Sequence, residues 1–390
     1  MVSTETPIRV MHMLAKYEYG GAQRVIRDII ACSEPGRFQY QVCGLLRTHA
    51  AREWIDDLGV QFVSADMGGV PSPSSLSRLV KLVRDFQPDI LHCHSQAADV
   101  IAWTLRRSLG NPGMVATVHN MAEYYYEKRK EPGRRCEAWL HKIAMNRWPG
   151  TVVGIGAAIR QSFAPYIRNW DQMPLVENGI DEVRLRAQSQ RSRQQVREDL
   201  GIDEDAFIFL SAGRLTEQKR YDVLVQAVSL LDEPDLQYVS LVAGTGPLEN
   251  QVRDLVSEHD LEHRIRLLGV RDDVPDLMNA ADCFLMTSEV EGLPMALLEA
   301  MMLGLPTVST AVGAIPDVIT DGATGRLTPS EDTSAIARAM REVLNAPQQA
   351  RIWGEQAREQ ARSRYSALAM TRKYEQLYRD LTRTRAKGND

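Results

Sequence analysis

The chain has 390 residues, 44% apolar and 25% charged, and a net charge of −5. At roughly 150 residues per domain this is about two to three domains of ordinary globular composition. The acidic balance speaks against a nucleic-acid binder, which shows a basic excess. The five cysteines, Cys32, Cys43, Cys93, Cys136 and Cys283, are scattered without a CxxC pair. Neither a zinc site nor a disulfide framework is indicated.

The start, Met1–Pro7, is short and polar, without a basic region followed by an apolar one, so no signal peptide is expected. No run approaches ~18 apolar residues, so no transmembrane helix is expected. These features predict a cytoplasmic protein. Strands are predicted at Ile8–Leu14, Tyr40–Leu46, Asp89–His92, Met114–Val118, Thr151–Gly154 and Leu175–Glu177, with helices between them at Ala22–Ala31, Ser74–Phe86 and Ala97–Leu109. Such alternation argues for βαβ units and a parallel sheet. Asn178-Gly179-Ile180-Asp181 then supplies turn chemistry. The polar stretch Arg184–Arg197 that follows carries arginines at 184, 186, 191, 193 and 197. It reads as a solvated linker helix in preference to a polyanion site.

The second half repeats the pattern. Strands are expected at Phe207–Ala212, Gln237–Ala243, Arg264–Leu268, Asp282–Thr287 and Pro306–Ser309, and a last amphipathic helix at about Ala367–Leu381. The expected fold is α/β: two Rossmann-like doubly wound domains, residues 1–180 and 181–365, facing a central cleft, with ligands outside the carboxyl ends of the strands. Residues 366–390 form the final helix and a polar tail.

The most specific chemistry lies between Ser288 and Pro306. Gly292-Leu293-Pro294 joins a strand to a helix, and the unpaired amides of a helix start make an anion site without a cation. Pro294 suits the first helical turn. Glu299 lies inside the apolar run Met295–Leu303, where a carboxylate needs a hydrogen-bonded partner such as a ribose diol. Glu291 lies in the loop, placed to accept from sugar hydroxyls. Arg214 and Lys219, five apart after the strand Phe207–Ala212, suit a diphosphate: Arg forks onto two oxygens and Lys supplies a point charge. Gly244-Thr245-Gly246-Pro247 is another strand-to-helix turn whose glycines admit close backbone approach to a ligand. It is not the dinucleotide fingerprint, since Glu249 replaces the third glycine. In the first half, Tyr19-Gly20-Gly21 brings a backbone to a helix N-terminus. His92 and His94 follow one strand and His119 the next. A His-x-His pair invites a metal, but no third ligand is evident. His119 is the better active-site candidate, a neutral donor and acceptor beside a sugar.

The motifs Gly20-Gly21, His119, Asn178–Asp181, Arg214 and Lys219, Gly244–Pro247, Glu291–Glu299, Val312–Asp317 and Asp321–Gly325 together resemble glycosyltransferase family 4, of GT-B architecture, over nearly the whole chain. The resemblance implies a retaining, metal-independent transferase that moves a sugar from a UDP- or GDP-sugar to a glycan or lipid-linked acceptor in surface polysaccharide biosynthesis. The nucleotide sugar is a substrate, and no cofactor is implied. It gives Arg214 and Lys219 to the diphosphate, Glu299 to the ribose, and Glu291 with Gly292, Leu293 and Pro294 to the sugar. Gly20 and Gly21 would approach the diphosphate, Val270 and Arg271 would lie near the base, and His119 would contact the sugar. The N-terminal domain would take the acceptor, and the final helix would cross back to it. A nucleotide-sugar 2-epimerase of the same architecture and a non-catalytic partner subunit are the alternatives.

From Glu123 to Trp148 seven Lys and Arg residues face four acidic ones, interleaved with Tyr124, Trp139 and Trp148. This stretch is either a contact with an anionic membrane surface, an acceptor wall, or a helix with Trp139 and Ile143 in the core and its charges solvated.

Overall fold

The computed structural model describes residues 6–17, 20–47, 53–68, 71–127, 132–231 and 236–388. Two compact units divide the chain: Met1–Gly179 with Ala367–Asp390, and Ile180–Ser366.

The first unit holds strands β1 (Ile8–Leu14), β2 (Phe38–Leu46), β3 (Gln61–Met67), β4 (Ile90–Cys93), β5 (Gly113–Val118) and β6 (Thr151–Gly154), in the order β3-β2-β1-β4-β5-β6. Every adjacent pair is parallel. Helices cover both faces, so the central strands read as continuous apolar runs, and β5 is buried throughout. Local sequence sets the helix ends. Ser72 accepts from Ser75 N in a capping box ahead of Pro73, and Gln87 closes the same helix, Pro73–Phe86, in the left-handed conformation. The C-terminal helix Ala367–Gly388 belongs to this unit and buries Tyr374 and Tyr378 completely. Its Glu375 accepts from Ser33 Oγ and Glu34 N, both at 2.8 Å.

The second unit holds β7 (Phe207–Ala212), β8 (Tyr238–Ala243), β9 (Ile265–Gly269), β10 (Cys283–Met286), β11 (Thr307–Thr310) and β12 (Gly325–Thr328), all parallel, in the order β12-β11-β10-β7-β8-β9. This is the same winding as in the first sheet. In each sheet the strand order reverses beside its first strand, between β1 and β4 and between β7 and β10. Loops at the carboxyl ends of these strands diverge and leave a crevice, where ligands of such sheets bind.

Three sequence expectations need correction. Strands β3 and β12 were not anticipated. Leu175–Glu177 makes only an isolated bridge to Gly154. The stretch after Asp181 is not a solvated linker. Ser192 caps the helix Arg193–Asp199, and its Arg197 is only 2% exposed. Arg197 donates to Asp282 Oδ2 at 2.7 Å and to the carbonyls of Ala280, Asp203, Glu204 and Ala206. Arg193 takes the other oxygen of Asp282 at 2.6 Å, and Arg191 pairs with Asp276 at 3.0 Å. These arginines fasten the start of the second unit to its own sheet.

Candidate active site

In the C-terminal unit, two loops at the switch point are stitched together. Thr287 Oγ1 donates to the carbonyls of Lys219 and Arg220 at 3.1 and 3.0 Å. Gln218 Nε2 donates to Val290 O at 2.7 Å, and Glu289 N donates to Gln218 O at 2.9 Å. The loop after β7 is thereby fixed against the loop after β10. Lys219 Nζ reaches Glu291 Oε1 at 2.5 Å, and Ser288 Oγ donates to the same oxygen at 2.6 Å. Glu291 is buried. A buried carboxylate stays charged only with such partners. An ammonium has three donors, so Lys219 can hold Glu291 and still reach an incoming anion.

Arg214 is exposed on the same loop and makes no ion pair or side-chain hydrogen bond among the described residues. Arg220, by contrast, is committed to Asp222 and Glu331, both at 2.9 Å. Arg214 and Lys219 are therefore the cations this loop can offer a diphosphate.

Gly292 and Leu293 are buried and lead into the helix Met295–Met302. Pro294 is the N-cap of that helix, one place earlier than expected, because its extended ψ of 123° lies outside the helix. Glu299, in the second turn, is 3% exposed among apolar neighbours. Gly313 explains how the next loop closes over this site. It has φ of 57°, and a Cβ there would lie 1.9 Å from Glu291 O.

Gly244 is also required by the packing of the loop after β7. A Cβ on it would lie 2.0 Å from Gly213 O. Its lack of a side chain is required by the neighbouring loop's backbone, independently of any ligand. Val270 is 68% exposed after β9. Beside it, Arg271 forks onto Asp273 at 2.7 and 2.6 Å. Its guanidinium is engaged, which leaves the backbone and Val270 as the open surface there.

In the N-terminal unit, Gly20 caps the helix that begins at Gly21 and runs to Ala31, at the carboxyl edge of β1. Tyr19 lies outside the described residues. His119 follows β5 half-buried, and its backbone N donates to Tyr125 Oη at 3.1 Å. Its Nε2 lies 3.0 Å from His94 Nδ1, and His94 Nε2 lies 2.9 Å from His12 Nδ1. His92 is bonded on both sides, to Tyr378 Oη at 2.7 Å and to Thr117 Oγ1 at 2.8 Å.

A third histidine therefore does stand beside His92 and His94: His12, paired in register with His92 across β1 and β4. Sequence reading missed it because the strands meet only in the fold. A histidine inside the apolar run Ile8–Leu14 was the available signal. The hydrogen bonds bear on the metal question, because both ring nitrogens of His92 and of His94 are already engaged. Three ligands to one ion would require breaking several of these bonds. Burial lowers the pKa of His12 to about 3 and of His119 to about 4, and it lowers those of His92 and His94 well below the usual value. The cluster is neutral.

The chain thus forms two doubly wound α/β units, each with a candidate site at the carboxyl ends of its strands. Two family models match the chain side by side: Glycosyltransferase Family 4 over residues 19–184 and Glycosyl transferases group 1 over residues 192–360. The chain belongs to this family and is a glycosyltransferase. It is 24% identical over 352 residues to the UDP-Gal:alpha-D-GlcNAc-diphosphoundecaprenol alpha-1,3-galactosyltransferase of Escherichia coli, covering 87% of this chain and 89% of that one. It is 33% identical over 214 residues to the N-acetyl-alpha-D-glucosaminyl L-malate synthase of Bacillus anthracis, a match spanning 55% of each protein. Among solved structures, Anabaena HepE in complex with UDP-glucose superposes with a TM-score of 0.82 at 18% identity, over 96% of this chain and 99% of that one. That likeness shows the GT-B fold.

Proposed function

We propose that the enzyme transfers a glycosyl group from a UDP- or GDP-sugar, with retention and without a metal, to a glycan or lipid-linked acceptor of surface polysaccharide synthesis. The observation that carries this reading is Lys219, held on Glu291 at the helix start of the C-terminal switch point. As the bond from the sugar to the diphosphate breaks, negative charge grows on the departing oxygen. Lys219, Arg214 and the amides at the start of Met295–Met302 stabilise that charge with little reorganisation. The same departing oxygen takes the acceptor's proton while the acceptor bonds to the sugar carbon on that face. No protein nucleophile is needed, and the configuration is kept. Glu299 takes the ribose hydroxyls. Glu291 takes a sugar hydroxyl on the carboxylate oxygen that Lys219 and Ser288 leave open. Gly20, Gly21 and His119 are read as the N-terminal unit's contacts to the donor, and Val270 with the Arg271 backbone as the wall near the base.

The donor class is supported by the UDP-glucose bound to HepE and the UDP-Gal of the Escherichia coli relative's name, and the lipid-linked acceptor by its diphosphoundecaprenol. The test is turnover of UDP- and GDP-sugars at saturating donor, with EDTA present. Lys219→Ala should lower turnover by about 100-fold or more, the scale for one preorganised donor of charge stabilisation. Unchanged turnover would remove Lys219 from the site. Activity lost in EDTA and restored by manganese would replace the metal-free route. Epimerised donor without acceptor would select the 2-epimerase.

A peripheral membrane contact belongs to the same reading. Trp139 is 61% exposed on the helix Pro132–Asn146, which speaks against the alternative that packs it into the core. Lys128, Arg129 and Lys130 lie outside the described residues. No helix among the described residues is long and apolar enough to cross a membrane. Sedimentation with anionic vesicles, weakened by salt and by Trp139→Glu, is the expected outcome. Protein left in the supernatant at low salt excludes the contact.

A further inference from the structure

His119, His94 and His12 form a line of imidazoles joined by two nitrogen–nitrogen contacts of 3.0 and 2.9 Å. Each contact needs one hydrogen, donated from one side. Three neutral imidazoles bring three hydrogens. Two occupy the contacts, and the third sits at one end of the line. The choice at His94 decides which end. If His94 carries its hydrogen on Nδ1, His119 accepts at Nε2 and must carry its own on Nδ1. His94 Nε2 then accepts from His12 Nδ1, and His12 Nε2 is a bare lone pair. If His94 carries its hydrogen on Nε2, every position reverses. His119 then shows a bare Nδ1, and His12 holds an N–H on Nε2.

The ends differ. His12 is fully buried, and its Nε2 has no hydrogen-bond partner among the described residues. An N–H donor stranded there is the less tolerated of the two states, because orphaned buried N–H groups are rarer than under-satisfied acceptors. At the other end His119 is half-buried, and its Nδ1 has no protein partner among the described residues. An N–H placed there is free to meet a ligand or water. The groups packed around the line do not bias it otherwise. Tyr40 stacks on His12 at 5.7 Å, and His92 spends its two nitrogens on Tyr378 and Thr117 hydroxyls, which can donate or accept.

We infer that His12 and His94 are positioning residues that hold His119 as the Nδ1–H tautomer, so that His119 offers a hydrogen-bond donor, not an acceptor, to what binds there. That the partner is a sugar hydroxyl oxygen rests on the function proposed above; the tautomer does not. The recognised chemistry is then a hydroxyl acting as acceptor, which keeps its own proton free to bond elsewhere in the site. Burial keeps all three rings neutral near pH 7, so the accounting holds under working conditions.

The test is the two-bond 1H–15N correlation spectrum of the ligand-free protein labelled with 15N-histidine at pH 7.5, with His119 assigned by its loss in His119→Gln. The expected pattern is Nδ1–H for His119, in roughly tenfold or greater excess. His12→Asp places an acceptor-only group before His94 Nε2, draws the His94 hydrogen to that nitrogen and should shift His119 toward the Nε2–H pattern. His12→Phe, which leaves His94 Nε2 before an apolar ring and so disfavours a hydrogen there, should keep the Nδ1–H pattern. An Nε2–H pattern in the unaltered protein overturns the inference, and so does a His119 pattern that His12→Asp leaves unchanged. The spectrum needs no substrate. A correct tautomer in a protein that transfers no sugar would sink the proposed function alone.

Discussion

The N-terminal and C-terminal units wind six parallel strands in one order and furnish their central strands with opposite chemistry. Around β1, β4 and β5 the polar groups are imidazoles and hydroxyls, buried and neutral: His12, His92, His94 and Thr117. Around β7 and β10 they are ion pairs: Arg197 with Asp282 at the amino end, Lys219 with Glu291 at the carboxyl end. A fold of this kind sets where polar side chains meet, and each sheet then satisfies them in its own way. The difference is functional under the proposed reaction. A departing diphosphate needs fixed cations, whereas a sugar hydroxyl needs directed neutral hydrogen bonds. It also makes the two units respond differently to acid, to loss of a partner and to ligand.

Acid should separate them most. Each of the four clustered histidines, His12, His92, His94 and His119, has its folded pKa below the usual 6.5. In the unfolded chain each takes up a proton as pH falls through ~6.5, while the folded unit does not until near pH 3–4 for His12 and His119. Stability is therefore fully present above ~6.5 and lost on the way down. At pH 5 the loss is ~2 kcal/mol each for His12 and His119, His92 and His94 add to it in the same direction, and a domain has only ~5–15 kcal/mol in all. In the C-terminal unit Glu182 is held below the usual carboxylate range, first by its hydrogen bond from Arg362, and titrates only in more acid solution. Amide exchange of β4 and β5 should thus accelerate between pH 7 and pH 5 while that of β7 and β10 holds. Equal protection of both sheets at pH 5 would erase the distinction.

The next effect concerns Arg197. Arg197→Met removes one of the two arginines on Asp282 and leaves several carbonyls without a donor. A broken buried pair costs ~3–5 kcal/mol. Urea unfolding of the C-terminal unit should show a loss of this size, and adding Asp282→Asn should recover part of it, because a carboxylate left with Arg193 as its one cation is replaced by a neutral amide. A loss within about 0.5 kcal/mol, as for an open surface, would return Arg197 to the solvated face assigned to it from sequence.

That misreading shows where sequence stops. The helix start at Gly292–Pro294 with Glu291 and Glu299 was legible because strand end, turn and helix lie within one short stretch. The alternation of strands and helices was legible for the same reason, except at the short β12 and at β3, whose Gln61, Ser64 and Asp66 dilute its apolar pattern. Arg197 and Asp282 are 85 positions apart, and His12 and His94 are 82 apart. Their residue types were visible, but the pairing is created by strand order. Local composition then reports a polar stretch where the fold has built a clamp, and two histidines where it has built a line of three.

The smallest effect tests how the ion pair at the site is used. In the ligand-free protein Lys219 is shared with Glu291. Binding of a bare nucleotide diphosphate must draw part of the lysine's field toward the phosphates, against the carboxylate. Glu291→Gln removes that competitor while keeping an acceptor for Ser288 and Lys219. It should leave the affinity for UDP unchanged or raise it a few-fold, while turnover falls because the sugar loses a charged acceptor. Glu299→Gln should do the reverse at the binding step. It replaces a carboxylate that can accept from both ribose hydroxyls with an amide that accepts with one atom only. Hydrogen bonds to a charged group contribute ~1.5–3 kcal/mol, so UDP affinity should fall about tenfold. Titration calorimetry of both variants with UDP decides. If Glu291→Gln alone abolishes UDP binding, the two carboxylates have the opposite roles, and the Lys219–Glu291 pair is part of the nucleotide site itself.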